Sequence, residues 1–314
     1  MTMRVRSFAC LCMFALLLST GACRQRSSKR LVVVLVPSED NPFFKSEGDA
    51  AAAAAEALGY AVRVDAHGDD AFKQDNLIDM AIASNAAALI LDNAGSDASI
   101  SAVKRATAAG IKCFLIDRQI DQSGIAIAQI FADNFQGAIL GAQEFVRLME
   151  GKGQYAELLG KESDTNAQVR TRGFHSVVDH APGLVLASAQ SANWSQSEAF
   201  SKTETMLQAH GDLKGILAGN DTMAVGAAAA AKANGKSPII VGFDGSPDAL
   251  ANIRSGQMAA TVLQPAVAIA KLAVSEMDTH LKTGSTGKPE RQSIPCELVT
   301  RKNVDEFGVF SRKQ

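Results

Sequence analysis

The chain has 314 residues, 47% of them hydrophobic and 20% charged, with a formal net charge of −2. That balance belongs to a globular protein with length enough for two domains. No long run of like charge occurs, so the basic footprint of a nucleic-acid binder is excluded and no nucleic-acid partner is expected.

Residues 1–22 differ from the rest. Arg4 and Arg6 open the chain, and an apolar run follows from Phe8 to Leu18. The run is shorter than the roughly 20 residues that span a bilayer. It fits the apolar core of a secretory signal peptide. Ser19-Thr20-Gly21-Ala22-Cys23 then leads small residues into a cysteine. This is similar to a bacterial lipoprotein signal, which implies lipidation of Cys23 and a membrane reached through that anchor. Plain secretion is the alternative, with Cys23 an odd thiol in an oxidising compartment. Residues 23–30 read as a short polar tether. Of the later cysteines, Cys113 sits in the apolar run Ile111–Ile116 and Cys296 in a strand predicted over Ile294–Thr300. Their spacing matches no metal motif and no disulfide framework.

Leu31–Val36 is apolar and mostly β-branched, the pattern of a strand buried on both faces of a parallel sheet. Pro37 ends it, and Ser38–Pro42 has the composition of a loop. Phe43 and Phe44 follow that loop, ahead of an Ala-rich helix predicted over Lys45–Leu58 and stopped by Gly59. Strands are then predicted over Tyr60–Asp65, Ala87–Leu91, Ile111–Ile116 and Ile125–Phe131, with helices over Asp69–Ala86 and Ser96–Ala109 between them. The alternation resumes with a helix over Gln136–Met149 and a strand over Gln154–Leu159. A helix over Asn166–His180 follows, with Thr165 as its expected N-cap. Further strands are expected over Leu184–Gln190, Gly215–Ala218, Ile239–Phe243 and Ala259–Leu263. Helices are expected over Ser197–His210, Thr222–Ala233, Pro247–Ser255 and Val267–Leu281. Strand–helix alternation implies parallel sheets with helices on both faces. It runs twice, with a break near Phe131–Asn134, so two similar α/β domains are expected.

Polar residues stand repeatedly at the carboxyl ends of these strands: Asn41, Asp92, Asp117, Arg118, Asn220, Asp244 and Gln264. In a parallel sheet those ends share one edge, where open α/β sheets bind ligands. Two such sheets face to face would gather these groups in one cleft. Acids and amides suit hydroxyl groups, and aromatic faces cover the C–H side of a sugar ring. The near balance of Asp92, Asp117 and Asp244 against Arg118 and Arg170 favours a neutral polyhydroxyl ligand over an anion. Each aspartate has an ordinary loop or capping role as its alternative, and the two phenylalanines have the core as theirs. Enzyme signatures such as G-x-S-x-G and H-E-x-x-H are missing, and the five histidines are scattered. Asn234-Gly235-Lys236-Ser237 ends like a phosphate loop, but Ala230 stands where its first glycine belongs, and it follows a helix. No enzyme, cofactor or metal is expected.

Asn41-Pro42-Phe43-Phe44, Ile116–Gln119, Ala218–Ala227, Val241–Asp248 and Ala259–Gln264 together closely resemble the ribose-type periplasmic binding proteins. These are solute receptors of ABC importers, related to the sensor core of LacI-type repressors. The resemblance runs from Leu31 to about Thr300. It implies a type I periplasmic binding protein fold: two doubly wound parallel-sheet domains joined by three crossing strands. These would fall near Phe131–Asp133, Leu263–Pro265 and Gln292–Pro295. It implies an N-terminal domain over 31–132 and 265–291, and a C-terminal one over 133–264 and 292–314. Carried over by motif, the aromatic clamp falls on Phe43, Phe44 and Trp194. The hydrogen-bonding set falls on Asn41, Asp92, Asp117, Arg118, Arg170, Asn220, Asp244 and Gln264, with Arg172 a near alternative to Arg170. Asp92 and Trp194 depart from the ribose receptor's Asn and Phe, which leaves pentoses, furanoses and short polyols open. The implied protein is a periplasmic monomer that delivers such a sugar to an ABC permease by hinge closure. Presentation of the ligand to a membrane signalling protein is the alternative.

Overall fold

The computed structural model describes residues 29–313. The signal peptide, Cys23 and most of the tether lie outside the described residues. Within them no helix is long and apolar enough to cross a membrane.

Two six-stranded sheets organise the chain. The first sheet contains β1 (Leu31–Val36), β2 (Ala61–Ala66), β3 (Ala88–Leu91), β4 (Lys112–Ile116), β5 (Ala128–Ala132) and β11 (Arg291–Ile294), ordered β11-β5-β4-β3-β1-β2. The second contains β6 (Lys152–Leu159), β7 (Gly183–Ser191), β8 (Leu213–Ala218), β9 (Ile239–Val241), β10 (Ala260–Leu263) and β12 (Glu297–Thr300), ordered β12-β10-β9-β8-β6-β7. Every pairing is parallel except β10 with β12. Parallel neighbours need crossovers, and helices supply them: α1 (Pro42–Ala57), α2 (Ala71–Ala83), α3 (Ile100–Ala108), α4 (Asn134–Leu148), α5 (Thr165–Val178), α6 (Gln196–Ala209), α7 (Asp221–Ala233), α8 (Pro247–Ser255) and α9 (Ala266–Thr283).

Side chains alternate across each pleat. Val32, Val34, Ile90, Phe114 and Ile116 pack under α1 and α9, while Val33, Leu35, Leu89, Leu91 and Leu115 pack under α2 and α3. All ten are fully buried, so both faces of the sheet are covered. In the second sheet Leu217 and Val241 face the α4 side, and Leu158, Ile216 and Ile240 face α6, α7 and α8.

The chain passes between the sheets after β5, after β10 and after β11. The last passage corrects the single strand expected over Ile294–Thr300. Pro295 has no N–H for a ladder, and the run divides there. Ile294 pairs with β5 in the first sheet, and Glu297 pairs with β10 in the second. Cys296 is therefore at a crossing and outside a strand. A second difference concerns α1, which begins at Pro42. Proline is at home in the first helical position, so Phe43 and Phe44 belong to the helix instead of a loop.

Candidate functional site

The carboxyl edges of the two sheets face each other across a small chamber. One wall comes from the first sheet. The Asn41 Oδ1 accepts the Phe43 N–H at 3.0 Å, capping α1 and fixing its first turn against the chamber. Phe43 and Phe44 meet edge to face, their centroids 5.5 Å apart, and Phe43 meets Phe310 the same way at 5.4 Å. Asp117 follows β4 with φ 55°.

The opposite wall comes from the second sheet. Trp194 follows β7 with φ 64°, and Asp244 follows β9 with φ 128°. Positive φ is uncommon for any residue but glycine and marks positions that the surrounding fold holds in place. Asn220 caps α7 by accepting the Met223 N–H at 2.9 Å. Its neighbour Asp221 is spent on the fold, accepting from Thr261 Oγ1 and from the Ser246 N–H.

Arg170, on α5, ties this wall together. Its guanidinium donates to Asn134 Oδ1 at 2.7 Å, the Gly219 carbonyl at 2.8 Å, Gln264 Oε1 at 2.9 Å and Asp244 Oδ1 at 3.2 Å. It also lies 3.9 Å from the Phe243 ring centroid. Arg172 is exposed on the far side of the same helix, so Arg170 is the arginine of the chamber.

Nine of the residues expected from the sequence line this space: Asn41, Phe43, Phe44, Asp117, Arg170, Trp194, Asn220, Asp244 and Gln264. Asp92 and Arg118 do not. They lie one layer deeper, 0% and 2% exposed, with the Arg118 guanidinium 5.0 Å from the Phe44 ring centroid. Arg118 donates to Asp69 Oδ1 at 2.6 Å and to the Asn93 carbonyl at 2.9 Å. Its Nε is 2.8 Å from Asp164 Oδ2 and 3.5 Å from Asp92 Oδ1. Neither approach is aligned as a hydrogen bond, and both Asp92 oxygens remain buried without a donor. The physical reason is packing. The Phe44 ring covers the guanidinium, and the short Asp92 side chain ends beneath it.

Two lining residues, Asp164 and Asn166, escaped the sequence reading. Asp164, not Thr165, caps α5, its Oδ1 accepting the Asn166 N–H at 2.8 Å. Both reach across the cleft, Asn166 Nδ2 donating to Asp117 Oδ1 at 3.2 Å. Lys161 crosses as well, donating to the Asp69 carbonyl at 3.2 Å. The signal was slight: an acid three residues ahead of an alanine in an ordinary helix start.

Burial sets the protonation of this site. It pushes the Asp117 carboxyl up to about 6, helped by the charge of Asp164 and opposed by Arg170 and Arg118. It also drives Asp244 and Asp92 well above the usual carboxylate range, against the pull of Arg170 and Arg118 respectively. Glu47, fully buried behind Asp92, is raised by the same burial and then by Asp117. The acids therefore carry less negative charge than their number suggests. Among the described residues no group of three or more His, Cys, Asp or Glu is placed to hold a metal ion.

Known proteins share this fold. The periplasmic binding protein domain model matches residues 32–286. A D-apiose import binding protein of Paraburkholderia graminis is 54% identical over 282 residues, 90% of each chain. One from Actinobacillus succinogenes is 51% identical, over 90% of this chain and 91% of the relative. Among solved structures, an ABC transporter solute binding protein from Bacillus halodurans with bound myo-inositol superposes with a TM-score of 0.83. It is 25% identical over 90% of this chain and 98% of its own. Paired sheets, a threefold crossing and a family match over most of the length agree, and the chain belongs to the periplasmic binding protein family.

Proposed function

We propose that the protein is the solute receptor of an ABC importer, that it holds a neutral five-carbon sugar between its two domains, and that D-apiose is the first candidate. The observation that carries this reading is the chamber. Its walls come from different sheets, and it offers acids, amides and one arginine beside three aromatic rings. Ionised acids accept from sugar hydroxyls, amides both donate and accept, and Arg170 donates. Partly protonated acids beside arginines leave no strong field to draw an anion. Identity above one half with two D-apiose receptors favours that sugar over ribose.

The same reading makes residues 31–132 with 265–291 and residues 133–264 with 292–314 two bodies that close on the sugar and present a joint surface to a permease. It places a monomer in the periplasm, held to a membrane by lipid on Cys23, and assigns it no catalytic step. Mass spectrometry of the mature N-terminus tests the anchor.

Calorimetric titration tests the ligand. D-apiose is expected to bind at micromolar affinity, about −8 kcal/mol, and D-ribose, D-allose and myo-inositol more weakly. Heat from none of the four would overturn the assignment. Tighter binding of D-ribose would overturn the choice of sugar.

A further inference from the structure

Trp194, the only tryptophan of the chain, is held at both ends of its indole. At one end its six-membered ring lies directly on the backbone of Gly160, where a Cβ would overlap Cη2, Cζ2 and Cζ3. At the other, Nε1–H donates to Asp164 Oδ2 at 3.1 Å, in a buried bond. The left-handed backbone at Asn193 and Trp194, φ 50° and 64°, sets the direction from which the ring enters. The indole N–H is thus spent on the protein, and the chamber meets the ring.

Asp164 is 4% exposed and does three things at once. Oδ1 caps α5. Oδ2 holds the indole and also stands 2.8 Å from Arg118 Nε, which belongs to the other sheet. The position of the ring and the closure of the cleft therefore meet in one carboxylate oxygen.

We propose that Asp164 is a specificity-determining positioning residue. It pins the Trp194 wall in the closed chamber, so the space between that wall and Phe43 and Phe44 is fixed and rejects rings bulkier than a five-carbon sugar. The inference rests on the sugar-receptor reading and deepens it. An indole pinned at both ends cannot yield to a larger ligand. Released from Asp164, it keeps its packing beside Gly160, Gly219 and Arg170 but loses its hydrogen bond, and the wall can tilt.

The test uses Asp164→Ser. Serine is as good an N-cap as aspartate, so α5 keeps its cap, while the shorter side chain reaches neither the indole nor Arg118. Asp164→Asn is the companion. With its one carbonyl oxygen on the cap, its amide nitrogen would face two donors, so the same loss is expected from a side chain of unchanged size. In both variants D-apiose affinity should fall at least tenfold, and the preference for D-apiose over D-allose and myo-inositol should narrow at least tenfold. The ligand-free emission of Trp194 should also shift from that of wild type. Asp164→Ser and Trp194→Phe, combined, should cost less than the product of their separate effects, because each removes the same bond.

Wild-type sugar preference in both variants, or ligand-free emission that overlays wild type, would overturn the proposal, as would strictly multiplicative effects in the double variant. Failure of wild type to bind any of these sugars would overturn the receptor reading instead. Emission of the ligand-free variants would then still decide whether Asp164 holds the ring.

Discussion

Gly160 and Trp194 are far apart in sequence, yet one residue lacks a side chain where the other puts its ring. Gly160→Ala asks for a methyl group inside the indole, so the ring must move. Its φ is not left-handed, so the substitution strains the site and spares the backbone. D-apiose affinity should drop at least tenfold in a titration, with the melting temperature within a few degrees of wild type; unchanged affinity would remove Trp194 from the chamber wall. Asp117 carries a pH prediction. Its carboxyl is raised to about 6 by burial first and by Asp164 second, against roughly 3.9 unfolded. The folded protein binds the extra proton between these values, so this group's contribution to stability falls as pH rises from about 4 to about 6. Sugar hydroxyls prefer the ionised acceptor, so affinity should move oppositely and weaken between pH 7 and pH 5. Titrations at those two pH values check this, and Asp117→Asn should flatten the Asp117 part of the profile. Individual residues at strand ends were legible because strand and loop chemistry announce where a parallel sheet presents its edge. Asp164 and Asn166 were not, since a helix start looks the same whether its acid only caps or also faces a ligand.

At the scale of elements, the start of α1 serves fold and site together. Asn41 caps the helix and lines the chamber. Serine at this position keeps the cap but shortens the reach, so Asn41→Ser should leave the melting temperature nearly unchanged and weaken sugar binding. Asn41→Ala should lose about 1 kcal/mol of stability as well. Equal affinity for wild type and Asn41→Ser would confine Asn41 to capping. The helix start was misread because Pro42 looks like a loop residue on either side of an N-cap, and only the bond from Phe43 N–H to Asn41 decides it. A similar ambiguity hid the break in the last strand. Its alternating pattern continues on both sides of Pro295, and which sheet each half joins depends on partners at β5 and β10. The buried central strands were legible for the opposite reason: a run such as Leu31–Val36 is apolar enough that only a covered sheet can take it.

Across the whole molecule, the chamber is sealed. Trp194 is 7% exposed, Asp244 4% and Arg170 3%, so no sugar can reach them unless the two sheets part. The three passages allow that, since each places only Asp133, Gln264-Pro265 or Pro295-Cys296 between elements of different sheets. Deep in the cleft the buried Arg118–Asp164 pair and the Asn166–Asp117 bond join the two sides, while the contact at its mouth is weaker. Lys161 is 30% exposed where its Nζ comes 3.6 Å from Asp69 Oδ2, and pairs of that kind contribute roughly 0–1 kcal/mol. Lys161→Met should therefore weaken D-apiose binding by no more than about fivefold, mostly through faster release, while leaving the order of sugar preferences intact. A sugar that binds only the closed form shifts the domain equilibrium by about 2.7 kcal/mol at a hundred times its Kd, more than such an exposed pair contributes. Small-angle scattering of the wild-type protein should accordingly give a smaller radius of gyration with saturating D-apiose than without it. An identical radius, with calorimetry confirming saturation, would mean that the sugar enters without hinge closure, and the three passages would then be connections and no more.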